Sequence, residues 1–198
     1  MSYVSTIHHR SPSQLSYPNL PGGYGGYGTA DPEIQQWFNA VDVDRSGKIT
    51  AKELQSALVN GQGKNFNLPV CELLISMFSK DQSGTVNVDE FQHLYKFVNQ
   101  WLQTFKSFDK DQSGVIEEEE VSQAFQQMGY RFSNEFIKFL IGRADKVAKK
   151  RISVDQFILV CIQIQRFTDA FRVRDTEMKG VITVSFEDFL TVALSCSS

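Results

Sequence analysis

Two twelve-residue segments of this chain place oxygen-bearing side chains at spacings that suit a metal ion. The first segment runs from Asp42 to Glu53, and the second runs from Asp109 to Glu120. Each has oxygen side chains at positions 1, 3 and 5, a glycine at position 6 and a glutamate at position 12. Calcium takes about 6–8 oxygen ligands, and a tightly curled loop with this spacing brings such oxygens together. The two segments therefore predict calcium-binding loops, each lying between two helices.

The position of a residue in each loop decides which of its oxygens can bind the ion. Position 12 gives two oxygens, and position 7 gives only its backbone carbonyl, so the side chain at position 7 is free to vary. A simple acidic turn in front of a helix would not reproduce six constrained positions twice, namely the five above and an isoleucine at position 8. The candidate ligands are Asp42, Asp44, Ser46, Lys48 and Glu53 in the first segment and Asp109, Asp111, Ser113, Val115 and Glu120 in the second.

Three further segments repeat the pattern in weakened form, which makes five loops, of which the two above are loops one and three. Loop two, from Ser79 to Glu90, has lost the first carboxylate and should bind calcium weakly. Loop four runs from Asp145 to Gln156 and has Val147, Lys149 and Lys150 where ligands and glycine belong. The basic side chains would repel a cation, so we expect loop four to be empty.

Loop five begins at Asp175 and departs from the pattern at two ligand positions. Lys179 stands at position 5, and Phe186 stands where the glutamate of position 12 belongs. We expect this loop to be empty or weak. Loop three offers four carboxylates, with Glu117 as the additional one, against three in loop one. Because more ligand charge favours tighter binding, loop three should dominate.

The intervals between the loops predict the helices that position them. The residues at position 6 are 37, 30, 36 and 30 apart in chain order. The two short intervals contain residues 91–108 and 157–174, which have no Gly or Pro, so each should be one helix about 27 Å long that joins two loops. The long intervals contain glycine breakers and should hold two helices each. These intervals predict an all-α fold of five helix–loop–helix hands with eight helices.

The residue at position 8 of each loop should form a short strand that pairs with the neighbouring loop. We expect Ile49 to pair with Val86, and Ile116 to pair with Ile152. Loop five is then left without a partner in its own chain. An unpaired apolar hand suggests a dimer with a two-fold axis. The expected interface residues are Ile182, Phe189, Leu190, Ala193 and Leu194.

The composition separates a tail from the hands. Residues 1–30 contain one charged side chain and a Gly/Tyr-rich run at 22–28, so we expect them to be disordered. This tail either stays solvated or attaches to partners or membranes. The hands then occupy residues 31–198. A net charge of -3 argues against nucleic-acid binding, and we expect neither a signal peptide nor a membrane span.

Three segments resemble the penta-EF-hand family of calcium-binding proteins. They are residues 37–42 at the first hand, 123–130 after the third and 185–189 at the fifth, and residues 96–101 of the first joining helix are also similar. The resemblance implies a calcium-responsive adaptor that dimerises through its fifth hand, with itself or with a paralogue of the family. It also implies a cytoplasmic protein that associates with endoplasmic reticulum membranes and COPII transport vesicles.

Two other functions remain open at this stage, a calcium buffer and the regulatory chain of a calcium-activated protease. A calcium-independent shape would favour the buffer, and a large protease partner would favour the regulatory chain. We expect no catalysis by this chain. Cys71 and Cys161 lie among apolar helical residues as buried thiols, and the three histidines share no motif with them.

Overall fold

The computed structural model describes residues 32–144 and 151–197 of the chain. The tail over residues 1–30 lies outside the described residues, as do the first six positions of loop four. The described helices are α1 (Pro32–Val41), α2 (Ala51–Ala57), α3 (Leu68–Phe78), α4 (Val88–Phe108), α5 (Glu118–Gln127), α6 (Asn134–Ala144), α7 (Val154–Arg174) and α8 (Phe186–Ser197). The described strands are β1 (Ile49–Thr50), β2 (Thr85–Val86), β3 (Val115–Glu117) and β4 (Arg151–Ser153). The predicted all-α class with eight helices is confirmed.

Two long helices join successive loops, as the glycine intervals predict. α4 and α7 have 21 residues each and begin three residues before the predicted helical segments. One face of α4 is buried along its whole length, with Phe91, Leu94, Val98, Trp101 and Phe105 at helical spacing. α4 ends at loop three and α7 ends at loop five, so a rotation of either helix moves a loop at its far end.

The loops pair through two short antiparallel pairs of strands in the predicted register. Ile49 lies opposite Val86, and Ile116 lies opposite Ile152. All four side chains are at most 1% exposed. Loops one and two therefore form one pair of hands, and loops three and four form a second pair.

Aromatic side chains fill the core between α4 and α7. The Phe157 ring on α7 contacts the rings of Trp101, Phe105 and Phe125 at centroid distances of 5.8, 5.9 and 6.5 Å. The spacing of Ile34, Trp37, Phe38 and Val41 predicts one apolar face of α1, but Trp37 is not buried with the other three. Its side chain is 50% exposed and stacks on Tyr95 of α4, because α1 contacts the core only through Ile34, Phe38 and Val41.

No described helix has both the length and the apolar character that crossing a bilayer requires. The statement covers residues 32–144 and 151–197.

We expect Phe157→Ala to lower the free energy of unfolding by about 3–5 kcal/mol, because it empties a fully buried site where both long helices meet. Urea denaturation followed by circular dichroism measures the change. Phe139→Ala is the matched control, since that ring is 56% exposed on α6 and its loss should cost far less. Equal losses for the two variants would contradict this description of the core.

Candidate calcium-binding site

Loop one is closed by the carboxylate at its first position. Asp42 Oδ1 accepts a hydrogen bond from the Ser46 backbone N–H at 3.0 Å, and Asp42 Oδ2 accepts one from Gly47 N–H at 2.9 Å. Asp44 Oδ1 also accepts from Ser46 N–H at 3.0 Å. The backbone therefore turns around the carboxylates and leaves their remaining lone pairs for a cation.

The glutamate at position 12 closes the same loop from the helix that follows. Glu53 Oε1 accepts from Val43 N–H at 3.1 Å, and Glu53 Oε2 accepts from Thr50 N–H at 2.9 Å. The Thr50 hydroxyl donates to the same oxygen at 2.8 Å and caps α2. Thr50 was missed in the sequence analysis. Its signal was the Thr-x-x-Glu pattern, which is that of a capping box.

These contacts bring three ligand residues of loop one to one point. Carboxylate oxygens of Asp42, Asp44 and Glu53 lie within 4.8 Å of one another. A calcium ion holds oxygens at about 2.3–2.6 Å, so two ligands of one ion lie up to about 5 Å apart. The donor set contains only oxygen, which is the chemistry that calcium prefers. The residues of loop one therefore fit the ion.

Loop three repeats this hydrogen-bond scheme. Asp109 accepts from the backbone N–H of Ser113 at 2.9 Å and from that of Gly114 at 2.9 Å, and Asp111 accepts from Ser113 at 3.0 Å. Glu120 accepts from Lys110 N–H at 3.3 Å and from Glu117 N–H at 3.1 Å. The donor set again fits calcium. The ranking of loop three above loop one stays a prediction.

The backbone curls in the same way in loops one, two, three and five. In each of them, positions 4 and 6 have positive φ angles. A glycine at position 6 is favoured because the left-handed region carries little strain for a residue without Cβ. The φ angles at position 4 are 56° at Arg45, 53° at Gln82, 55° at Gln112 and 52° at Met178, and those at position 6 are 77° at Gly47, 73° at Gly84, 76° at Gly114 and 70° at Gly180.

Hydrogen bonds lower the pKa values of three candidate ligands. Donation from the Ser46 side chain and backbone lowers the pKa of Asp44, and Ser113 lowers the pKa of Asp111 in the same way. Burial acts to raise the pKa of Glu53, but hydrogen bonds from Thr50 and Val43 outweigh it and the pKa falls below its ordinary value. These carboxylates are therefore charged at neutral pH.

Loop two shows why losing the first carboxylate matters. Ser79 stands at position 1 and donates its hydroxyl to Asp81 Oδ1 at 3.1 Å, so it occupies an oxygen that a cation would use. Lys48 of loop one extends its ammonium to Asp81 Oδ2 at 3.3 Å. The side chain at position 7 was expected to be free to vary, and this contact was not foreseen. Both features agree with the predicted weakness of loop two.

Loops four and five lack the bidentate glutamate. Gln156 at position 12 of loop four donates its amide to the carbonyl of Ala144 at 2.7 Å. Lys149 and Lys150, which were predicted to repel a cation, lie outside the described residues. In loop five, Lys179 forms an ion pair with Glu177, and the Phe186 ring is 74% exposed. Loop five therefore has the fold of a metal loop with a built-in cation at a ligand position.

The cysteines of the described chain are buried thiols. Burial, together with the negative charges of Asp155 and Glu72, raises the pKa of Cys71 to about 12. Burial alone raises the pKa of Cys161 well above its ordinary value. Neither thiol is a nucleophile at neutral pH. The absence of catalysis stays a prediction.

Comparison with known proteins identifies the hands. A family model described as an EF-hand domain pair matches residues 31–96 and again residues 98–162, so this is a calcium-binding EF-hand protein. Mouse peflin is 44% identical over an alignment of 179 positions, which covers 88% of this chain and 65% of peflin. Human sorcin is 36% identical over an alignment of 201 positions, which covers 91% of this chain and all of sorcin.

A solved structure has the same fold. It is a homologue of programmed cell death 6 protein from Leishmania major, with a TM-score of 0.74 and 30% identity, and the match covers 82% of this chain and 93% of that one. The chain belongs to the penta-EF-hand family. It spans 65% of the length of mouse peflin and 62% of the length of human peflin.

We expect Glu120→Ala to remove most high-affinity calcium binding, because it deletes two oxygens from the loop with the most carboxylates. Glu53→Ala should remove a weaker site, and Glu90→Ala should change little because loop two lacks its first carboxylate. Isothermal titration calorimetry on the three variants measures these differences. Loss of binding in Glu90→Ala with binding kept in Glu120→Ala would show that the carboxylate ranking is wrong.

Proposed function

We propose that this protein is a calcium sensor and adaptor that dimerises through its fifth hand. One observation carries the proposal: the fifth hand has the loop backbone of a calcium site but an aromatic ring at position 12. A sensor binds calcium in some hands and uses the resulting movement elsewhere. Loops one and three supply the calcium sites, and the fifth hand supplies the surface for a partner.

The fifth hand is held together by a charged contact. The Arg174 guanidinium donates to Asp188 from Nε at 3.1 Å and from a terminal nitrogen at 2.7 Å, which fixes the first turn of α8 against the end of α7. This pair lowers the pKa of Asp188 and raises that of Arg174. The loop can thus keep its shape with Phe186 in place of a metal ligand.

The apolar surface of this hand supports dimerisation. Phe186, Phe189 and Leu194 are 74%, 56% and 69% exposed. A groove of about 180 Å³ runs between α7 and α8, and its lining includes Phe171, Ile182 and Phe189. Residues 181–185 belong to no strand pair in the described chain. A second fifth hand would supply both the missing strand and an apolar cover, as the predicted interface requires.

The likeness to peflin guides the cellular part of the proposal. The chain acts in the cytoplasm and binds target proteins in a calcium-dependent way at endoplasmic reticulum membranes and COPII vesicles. Its partner at the fifth hand is a second copy or a paralogue of the same family. The support for this step is sequence similarity alone, and fractionation of cells with and without calcium tests it.

We expect Phe189→Glu to shift the protein from dimer to monomer, because it places a charge in the centre of the apolar surface. Truncation after Arg174 should act in the same direction, and both variants should still bind calcium at loops one and three. Sedimentation velocity at several concentrations measures the shift, alone and with a paralogue added.

Phe139→Glu is the control for this experiment, since that ring is equally exposed but lies on α6. It should leave the association unchanged. A full-length chain that remains monomeric alone and with every paralogue would contradict the proposed interface.

A further inference from the structure

The linker between α2 and α3 is a small folded element, which we call the linker hairpin and define as residues 58–67. Val59 and Asn65 form an antiparallel bridge, and Asn60 N–H donates to the carbonyl of Lys64 at 2.8 Å. Phe66 is 1% exposed, and its carbonyl accepts from the Gln55 amide of α2 at 2.9 Å. The linker hairpin is therefore firmly attached to the first hand.

The tip of the linker hairpin touches loop three of the other pair of hands. A Cβ added to Gly61 would lie 2.6 Å from Gly114 Cα, and one added to Gly114 would lie 2.5 Å from the carbonyl carbon of Gly61. The two backbones are thus in direct contact, with no room for a side chain on either. The contact falls at position 6 of loop three, where the backbone turns around the Asp109 carboxylate.

A buried carboxylate on α7 holds the linker hairpin in this place. Asp155 is 1% exposed, and its Oδ2 accepts from the Asn67 backbone at 3.0 Å and from the Asn67 amide at 2.6 Å. Its Oδ1 accepts from the Ser153 hydroxyl at 2.6 Å and from the Asn60 amide at 3.4 Å. Asp155 therefore ties the linker hairpin to the fourth hand at two points, at its end through Asn67 and beside its tip through Asn60.

From these contacts we infer that the linker hairpin braces the calcium site of loop three and couples it to the first hand, with Asp155 as the positioning residue. Gly114 lies between two candidate ligands, Ser113 and Val115, and its N–H donates to Asp109 at 2.9 Å. A backbone held against Gly114 limits the motions that calcium binding would otherwise have to freeze. Such preorganisation tightens binding.

The coupling acts in both directions, as linkage requires. Filling loop three fixes Gly114 and so restrains the linker hairpin, which is continuous with α2 and the helix end of loop one. Movement of α2 that releases the hairpin weakens loop three by the same factor. The inference rests on the calcium site at loop three, so the test first establishes that site.

The test measures calcium binding at loop three alone, in full-length protein that carries Glu53→Ala to disable loop one. In this background Gly61→Ala should weaken calcium binding at least about fivefold, in the range typical of coupled sites. Asp155→Asn should act in the same direction, because an amide cannot accept all four hydrogen bonds. Gly142→Ala is the matched control, since an added methyl there meets no atom within 4 Å.

Two further measurements separate a positioning role from general destabilisation. Urea unfolding in excess chelator gives the free energy of unfolding of each variant without calcium. Among variants with equal free energies of unfolding, those that alter the hairpin contact should still bind calcium more weakly. In protein without the Glu53→Ala change, hydrogen exchange should show calcium-induced protection of amides 60–66, and Glu120→Ala should abolish that protection while loop one still fills.

The outcomes distinguish the possible failures. No calcium binding in the Glu53→Ala parent would overturn the site at loop three, and this inference with it. Normal binding in the parent and equal affinities in Gly61→Ala, Asp155→Asn and Gly142→Ala would overturn the coupling alone. Hydrogen exchange of amides 60–66 that stays unchanged when calcium fills loop three would also overturn the coupling. This measurement does not require that any hairpin variant folds.

Discussion

The structure depends on backbone N–H groups that hold carboxylates together in the loops, and loop one shows how close those carboxylates lie. Oxygens of Asp42, Asp44 and Glu53 lie within 4.8 Å of one another, where like charges repel. Backbone N–H groups oppose the repulsion, and the left-handed turn at position 4 aims two of them, those of Ser46 and Gly47, at the first carboxylate. Calcium supplies the remaining positive charge. A loop that loses one carboxylate, or gains an internal cation such as Lys179, has less repulsion to offset. Such a loop keeps its backbone shape without a bound ion.

The helices turn this local constraint into a property of the whole chain. α4 leaves loop two and enters loop three, so one continuous helix joins the two pairs of hands, and Trp101 is buried near its centre. α7 joins loops four and five in the same way. In the coupling that we propose, change at loop three reaches the first hand through α4 and through the contact of Gly61 with Gly114. The fifth hand has a cation of its own, Lys179, at a ligand position and presents apolar side chains instead.

Features set by spacing could be predicted from the sequence, and features set by tertiary contact could not. Ligand positions, both joining helices and the pairing of Ile49 with Val86 follow from a fixed loop length and helical periodicity. The exposure of Trp37 was missed, because periodicity shows which residues share a face but not how much of that face the neighbouring helix covers. The four donors on Asp155 come partly from residues 88 and 95 positions away, and no local pattern indicates them.

The central claim is that calcium binds at loops one and three while the fifth hand serves as an interface. A crystal structure of the full chain grown with calcium tests it most directly, through anomalous density and metal–oxygen distances. The account predicts ions in loops one and three, with oxygens of Asp42 and Asp109 at about 2.3–2.6 Å, and two fifth hands packed against each other. Calcium density coordinated by Asp175, or an empty loop three at saturating calcium, would contradict it.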